Sequence, residues 1–202
     1  MKKYLMSMVF AGIFFVALYG ASSENRKLIS PEYGTHMAPL LTVIANTDGP
    51  ILEMGCGDYS TPLVHAVCSV SKRFVLTAET DIGWMELFKD LKTDWHQFVY
   101  VNIGTKNKNY NPEAWNLIGN DHNWSVVFID HAPKERRVVD IERLRLRTAI
   151  FVVHDTNPLK KGYKYEPLLS TFKYRFNYKR YANQTTIVSD VIDVAAFFPN
   201  KS

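Results

Sequence analysis

The stretch Gly49-Pro50-Ile51-Leu52-Glu53-Met54-Gly55-Cys56-Gly57-Asp58-Tyr59-Ser60-Thr61-Pro62 constrains this chain more than any other. Gly49-Pro50 marks a turn, and Ile51-Leu52 starts a short apolar strand. Gly55 and Gly57 then open a tight turn. From about Thr61 the pattern predicts a helix, with Pro62 tolerated in its first turn. Strand, glycine turn and helix, in that order, place a nucleotide-like ligand across the carboxyl end of a parallel sheet. Glycines permit close backbone approach there, and the helix N-terminus offers unpaired N–H groups. Glu53 at the strand end disfavours a diphosphate and suits a cationic or amino-bearing ligand.

The rest of the chain fits one domain built around that turn. It has 202 residues, 47% of them hydrophobic, and a formal net charge of +4. This mild positive charge is not gathered into a dense Lys/Arg block, so no nucleic-acid partner is expected. The two cysteines, Cys56 and Cys68, form no zinc pattern. A straight helix would hold them roughly 18 Å apart, too far for a disulfide, so free thiols are expected. Residues 1–22 read as a signal peptide or an N-terminal membrane anchor. Lys2-Lys3 gives a positive start, residues 5–19 are nearly continuously apolar, and Gly20-Ala21-Ser22 is a small-residue cleavage region. Either reading predicts the secretory pathway, with the domain secreted or tethered to a membrane through residues 5–19 on the lumenal or extracellular side. Residues 23–30 read as a linker, and residues 31–202 as the catalytic domain.

Taken in order, the domain alternates helices and strands. Met37 to Ala45 predicts a helix, preceded by His36. Phe74 to Ala78 is a second strand, ending in Glu79-Thr80-Asp81. Trp84, Leu87, Phe88 and Leu91 share helical spacing, with Asp81 as cap. Gln97 to Val101 is a third strand, followed by a polar insertion from Asn102 to Asn120 that suits substrate contacts. Trp124 to Ile129 is nearly continuously apolar, broken only by Ser125, as a central parallel strand covered on both faces would be. A helix from Lys134 to about Arg147 leads to a fifth strand, Ala149 to Val153. Tyr174 to Tyr181 and Thr185 to Ser189 suit a terminal hairpin, and the apolar tail from Val191 to Phe198 should dock on the domain.

Three strand ends carry acids. Glu79, with Asp81 as the nearby alternative, follows the second strand about 20 residues after the glycine turn, where an acid can accept both ribose hydroxyls of an adenosine ligand. Asp130-His131 closes the fourth strand, and His154-Asp155-Thr156-Asn157 closes the fifth. Two adjacent strands thus each deliver an aspartate with a histidine beside it. Hard cations want several oxygen ligands converging from rigid elements.

With these residues in place, Glu53-Met54-Gly55-Cys56-Gly57 resembles the first motif of class I S-adenosylmethionine-dependent methyltransferases. Tyr59 stands where that motif has a third glycine. The resemblance runs from about Pro31 to Val194 and is closest to cation-dependent small-molecule or sugar O-methyltransferases. It implies a Rossmann-like α/β fold: a doubly wound, mostly parallel seven-stranded sheet, helices on both faces, and an antiparallel C-terminal hairpin. It implies methyl transfer from S-adenosylmethionine to a hydroxyl of a small molecule or glycan. Cofactor contacts are then expected from Glu53, Gly55, Cys56, Gly57, Tyr59, Glu79, Thr80 and Asp130. Asp130, Asp155 and Asn157 are the expected ligands of Mg2+ or Mn2+. Asp130, His131, His154 and Asp155 are the expected catalytic groups, with His131, His154 or His36 as general base where no metal serves.

Other classes predict other features. A nicotinamide or nucleotide-sugar enzyme wants more glycines in the first turn and no Glu53. A catalytically inactive binding module of the same fold has no need of Asp130 and Asp155 together. A metal-dependent phosphoester hydrolase would leave the Gly55–Gly57 turn without a ligand.

Overall fold

A computed structural model describes residues 31–105, 107–157 and 164–198. Seven strands form one sheet: β1 (Ile51–Met54), β2 (Val75–Glu79), β3 (His96–Tyr100), β4 (Trp124–Ile129), β5 (Thr148–Val153), β6 (Tyr174–Tyr178) and β7 (Thr185–Ser189). Their order is β3-β2-β1-β4-β5-β7-β6. β1 pairs in parallel with β2 and with β4, so the chain reverses its winding at β1. The carboxyl ends of β1 and β4 therefore flank the crevice in which such sheets bind ligands. β7 runs antiparallel to both β5 and β6, closing the sheet with the expected hairpin.

The strands are apolar on both faces because helices cover both. Ile51, Val126, Phe128, Ile150 and Val152 pack beneath α1 (Met37–Ala45) and α2 (Ser60–Ser69). Leu52, Met54, Val127, Ile129, Phe151 and Val153 pack on the opposite side beneath α4 (Arg136–Leu144). Neighbouring strand residues alternate between these two cores, which is why β4 is apolar from Val126 to Ile129 without alternation. α3 (Ile82–Leu87) is different. Asp81 caps it, its carboxylate accepting from the Gly83 and Trp84 amides. Yet none of its residues is buried, and of the spaced set only Phe88 reaches the core. A short α5 (Glu166–Leu169) precedes β6.

The polar insertion is anchored. Its 3-10 turn, Pro112–Leu117, sends Trp115 fully into the core, where the indole N–H donates to the Ala132 carbonyl at 2.9 Å. The tail also docks, with Phe198 stacked on Phe176 at 4.2 Å. Both cysteines are free.

The membrane, signal-peptide and secretory expectations need correction. Spanning a bilayer takes about 20 apolar residues in a helix. The longest described helix, α2, has 10, and no helix among the described residues is long and apolar enough to cross a membrane. The anchor or signal segment 1–22, the tether through residues 5–19 and the linker 23–30 lie outside the described residues.

One glycine is fixed by the winding reversal. Gly55 has φ +92°, and a Cβ there would lie 2.8 Å from backbone atoms of Asp130 and His131. The ends of β1 and β4 thus meet backbone to backbone. Gly57 has no such neighbour: a Cβ there would find only the Ser60 hydroxyl, at 3.9 Å. Gly55→Ala is expected to lower stability by on the order of 3 kcal/mol. Gly57→Ala is expected to change it by less than about 1 kcal/mol. Urea unfolding of the two variants checks this; equal losses would refute the assignment of the close contact to Gly55.

Candidate active site

The glycine turn is held from below by a buried carboxylate. Glu53 sits in β1 with no exposure. It accepts from the Thr77 hydroxyl at 2.7 Å and from the Thr61 hydroxyl at 3.1 Å. Thr61 in turn accepts from the Gly57 amide at 3.0 Å. Thr77 uses its one proton on Glu53, so it accepts from His96 Nε2, at 2.9 Å. His96 Nδ1 then faces His65 Nδ1 at 3.0 Å. A directed chain of hydrogen bonds runs from half-buried His65 to the floor of the turn. Burial raises the Glu53 carboxyl to about 7, against the opposing pull of Ser60, Thr77 and Thr61. Burial, with His65 beside it, lowers the His96 imidazole to about 3.

Glu79 clamps the turn from the side. One carboxylate oxygen accepts from the Cys56 amide at 2.9 Å. The other accepts from the Thr80 and Asp81 amides, and from the Thr80 hydroxyl at 3.1 Å. The end of β2 and the first turn are thereby tied to one side chain. Burial and the nearby Glu79 and Glu53 carboxylates push the Cys56 thiol far up, so it stays protonated. Tyr59, at the missing third glycine position, packs against the Pro31–Gly34 turn; a Cβ on Gly34 would meet its ring at 2.9 Å.

The second half of the site lies at the ends of β4 and β5. His154 Nδ1 is 3.1 Å from Asp130 Oδ2, and His154 Nε2 is 3.0 Å from the Thr35 hydroxyl. Thr35 gives its own proton to the Asn183 carbonyl at 2.9 Å, so it accepts from His154. The other Asp130 oxygen pairs with Arg137 Nη1 at 3.0 Å. Burial works against ionisation of Asp130, but His154 and Arg137 outweigh it and hold the carboxyl at about 2. His36 completes the group. Its ring lies 4.8 Å from Phe128 and 4.6 Å from His154, and neither ring nitrogen has a hydrogen-bond partner among the described residues. Burial, then the neighbouring His154, lowers it to about 3 and keeps it neutral. His36, Asp130 and His154 each offer one ligand atom within 4.8 Å of the others, a group that could hold a metal ion.

The expected residues divide accordingly. Glu53, Gly55, Cys56, Gly57, Glu79 and Thr80 gather at the turn. Asp130 and His154 meet each other. Asp155, in the left-handed region at φ +59°, has Oδ2 4.0 Å from Arg137 Nη1. A fixed guanidinium thus stands between the Asp130 and Asp155 carboxylates. The Asn157 amide donates to the Ala182 carbonyl at 2.8 Å. His131 turns away from Asp130: its ring packs at a tilt on Trp115, centroids 4.2 Å apart, and Nε2 donates to Asp140 at 3.0 Å. Asp140 also pairs with Arg136 and Arg143 on the same helix, and these two arginines fasten α4 to the insertion at Glu113 and at the Trp115 and Ile118 carbonyls.

Sequence reasoning did not single out Thr35, Thr61, Thr77, His96 or Arg137. Arg137 carried the one available signal. It lies one turn into the helix that follows an acidic strand end, where a cation can reach back; its Nη2 and Nε donate to the Asp130 and His131 carbonyls at 2.7 and 2.6 Å.

No family model and no curated protein sequence matches the chain. Solved structures do match in fold. Human methyltransferase 10 domain containing protein shares 10% identity at a TM-score of 0.57, over 95% of this chain and 99% of that one. An O-methyltransferase from Bacillus cereus, solved with SAH, shares 13% at 0.52, over 91% and 90%. Precorrin-6y C5,15-methyltransferase from Geobacter metallireducens shares 14% at 0.54, over 84% and 94%. The chain has the class I S-adenosylmethionine-dependent methyltransferase fold.

The Glu53 network gives a pH signature. An unfolded chain titrates this carboxyl near 4.5, and the folded one near 7. Between those values the folded state holds more protons, so this group's contribution to stability falls as pH rises, by up to about 1.4 kcal/mol per unit. Glu53→Gln removes the group. Its melting temperature relative to the parent protein is expected to rise between about pH 5 and pH 7.5. A constant difference across that range would contradict a raised Glu53 carboxyl.

Proposed function

We propose that this protein transfers a methyl group from S-adenosylmethionine to a hydroxyl of a small molecule. The observation that carries this is the glycine turn at the winding reversal of a methyltransferase fold, with open space above Gly57 and an acidic side chain at the end of β2. That space is where a ligand's backbone contact would fall, so the residues present fit the cofactor.

Gly55, Cys56, Gly57 and Tyr59 would hold the methionine part, with Glu53 acting beneath them through Thr61. Glu79 and Thr80 would face the ribose, and Asp130 the far side of the crevice. The bound cofactor supplies a methyl carbon already activated as a sulfonium. What remains for the chain is alignment of the acceptor, exclusion of water and removal of the acceptor's proton. In the metal-free chain His36 is the histidine placed to take that proton, because both of its nitrogens lack partners among the described residues; burial lowers its basicity and so works against that role. His154 is already engaged on both sides, and His131 is committed to Asp140. Those two contribute orientation in this reading, and Arg137 holds the Asp130 carboxylate.

Calorimetric titration of the full chain with S-adenosylmethionine and S-adenosylhomocysteine, in chelator, tests this. Micromolar binding is expected for both. Glu79→Ala is expected to weaken it at least tenfold, a loss of about 1.4 kcal/mol or more. Absence of binding by demonstrably folded protein would overturn the reading.

A further inference from the structure

We infer that His36, Asp130 and His154 form a site for a borderline divalent ion such as Zn2+ or Co2+, in place of a hard Mg2+ site between the two strand-end aspartates. Any role in activating the acceptor hydroxyl rests on the methyl-transfer reading; the site itself does not.

Three observations converge. The first is donor chemistry. Two imidazoles and one carboxylate converge within 4.8 Å, whereas Mg2+ wants an oxygen-rich shell. Asp130 and Asp155 cannot supply that shell together while Arg137 stands between them, 3.0 Å from one and 4.0 Å from the other.

The second is orientation. Metal-bound histidines give their remaining N–H to an acceptor that fixes the ring. His154 Nε2 already donates to Thr35, which is itself held by the Asn183 carbonyl. That leaves Nδ1 as the nitrogen facing Asp130. Asp130 is held in the same way, its Oδ1 on Arg137 and its Oδ2 turned toward the histidines.

The third is the unpartnered ligand. His36 is 3% exposed, and both of its nitrogens lack a hydrogen bond among the described residues. An imidazole buried in this state costs free energy that a metal bond would offset. Phe128 closes the site from below, and Asp130, 26% exposed, is its open side. Three protein ligands with one open position is the arrangement of catalytic zinc sites.

The test uses the full chain, stripped with chelator and then dialysed free of it, with no cofactor added. Zn2+ and Co2+ are expected to bind one per chain at micromolar Kd or tighter, and Mg2+ at least about a hundredfold more weakly. Bound Co2+ is expected to give visible absorption bands characteristic of nitrogen ligation. His36→Gln and His154→Ala should each weaken Zn2+ binding at least tenfold, with circular dichroism confirming that they fold. Asp155→Asn and His65→Ala should retain it, the second separating this site from the His65–His96 pair. Two results would overturn the assignment: Mg2+ binding as tight as Zn2+ and lost in Asp155→Asn, or no Zn2+ binding by the folded parent chain. Cofactor titration in chelator is a separate measurement, so either proposal can fail without the other.

Discussion

The carboxyl ends of β1 and β4 touch at Gly55, and the rest of the site depends on that contact. A side chain there would collide with the Asp130–His131 backbone, so the two strands could not deliver their loops to one crevice. Around this point the chain has concentrated its internal charge. Glu53 lies beneath the turn, Glu79 beside it, Asp130 across from it, and Arg137 behind Asp130. Each carboxylate is matched by hydroxyls, amides or a guanidinium, which is what permits so many ionisable groups in an otherwise apolar sheet.

Most of the scaffold was legible in the sequence because local signals and tertiary demands agree. The Ile51-Leu52 run, the nearly continuous apolar β4 and the Asp81 cap all appear where pattern and turn chemistry place them. The parallel strands followed from element order and helix alternation, while the antiparallel arrangement of the terminal hairpin came from the family resemblance. The α3 region was less legible. Its apolar spacing looks like a core stripe, but the helix lies at the β3 edge of the sheet and leaves Leu87 and Ile82 outside. The insertion before β4 was read by its polarity, which hid the one residue, Trp115, that roots it.

The candidate site was legible by strand and not by side chain. Strand ends could be located, so Glu79, Asp130 and Asp155 were found. Which way each adjacent histidine turns is decided by packing. His131 is drawn to Asp140 on α4, four residues after Arg136, while His154 is drawn to Thr35 from a segment far away in sequence. Buried hydroxyls such as Thr77 and Thr61 carry no sequence signal of their own, since threonine is ordinary in strands and near helix starts.

The Thr35 contact has a consequence for how the site comes into being. Thr35 reaches His154 and Asn183 across 119 and 148 positions of chain. Closing loops of that length costs entropy that only a nearly complete sheet can repay. The turn around Gly55 can organise from neighbours close in sequence, as soon as β1, β2 and α2 come together. The imidazole–carboxylate cluster must wait for β5 and for the hairpin that follows it. A chain shortened before Asn183 would keep the ligand turn and lose the carbonyl that orients Thr35, so the two halves of the crevice mature at opposite ends of assembly.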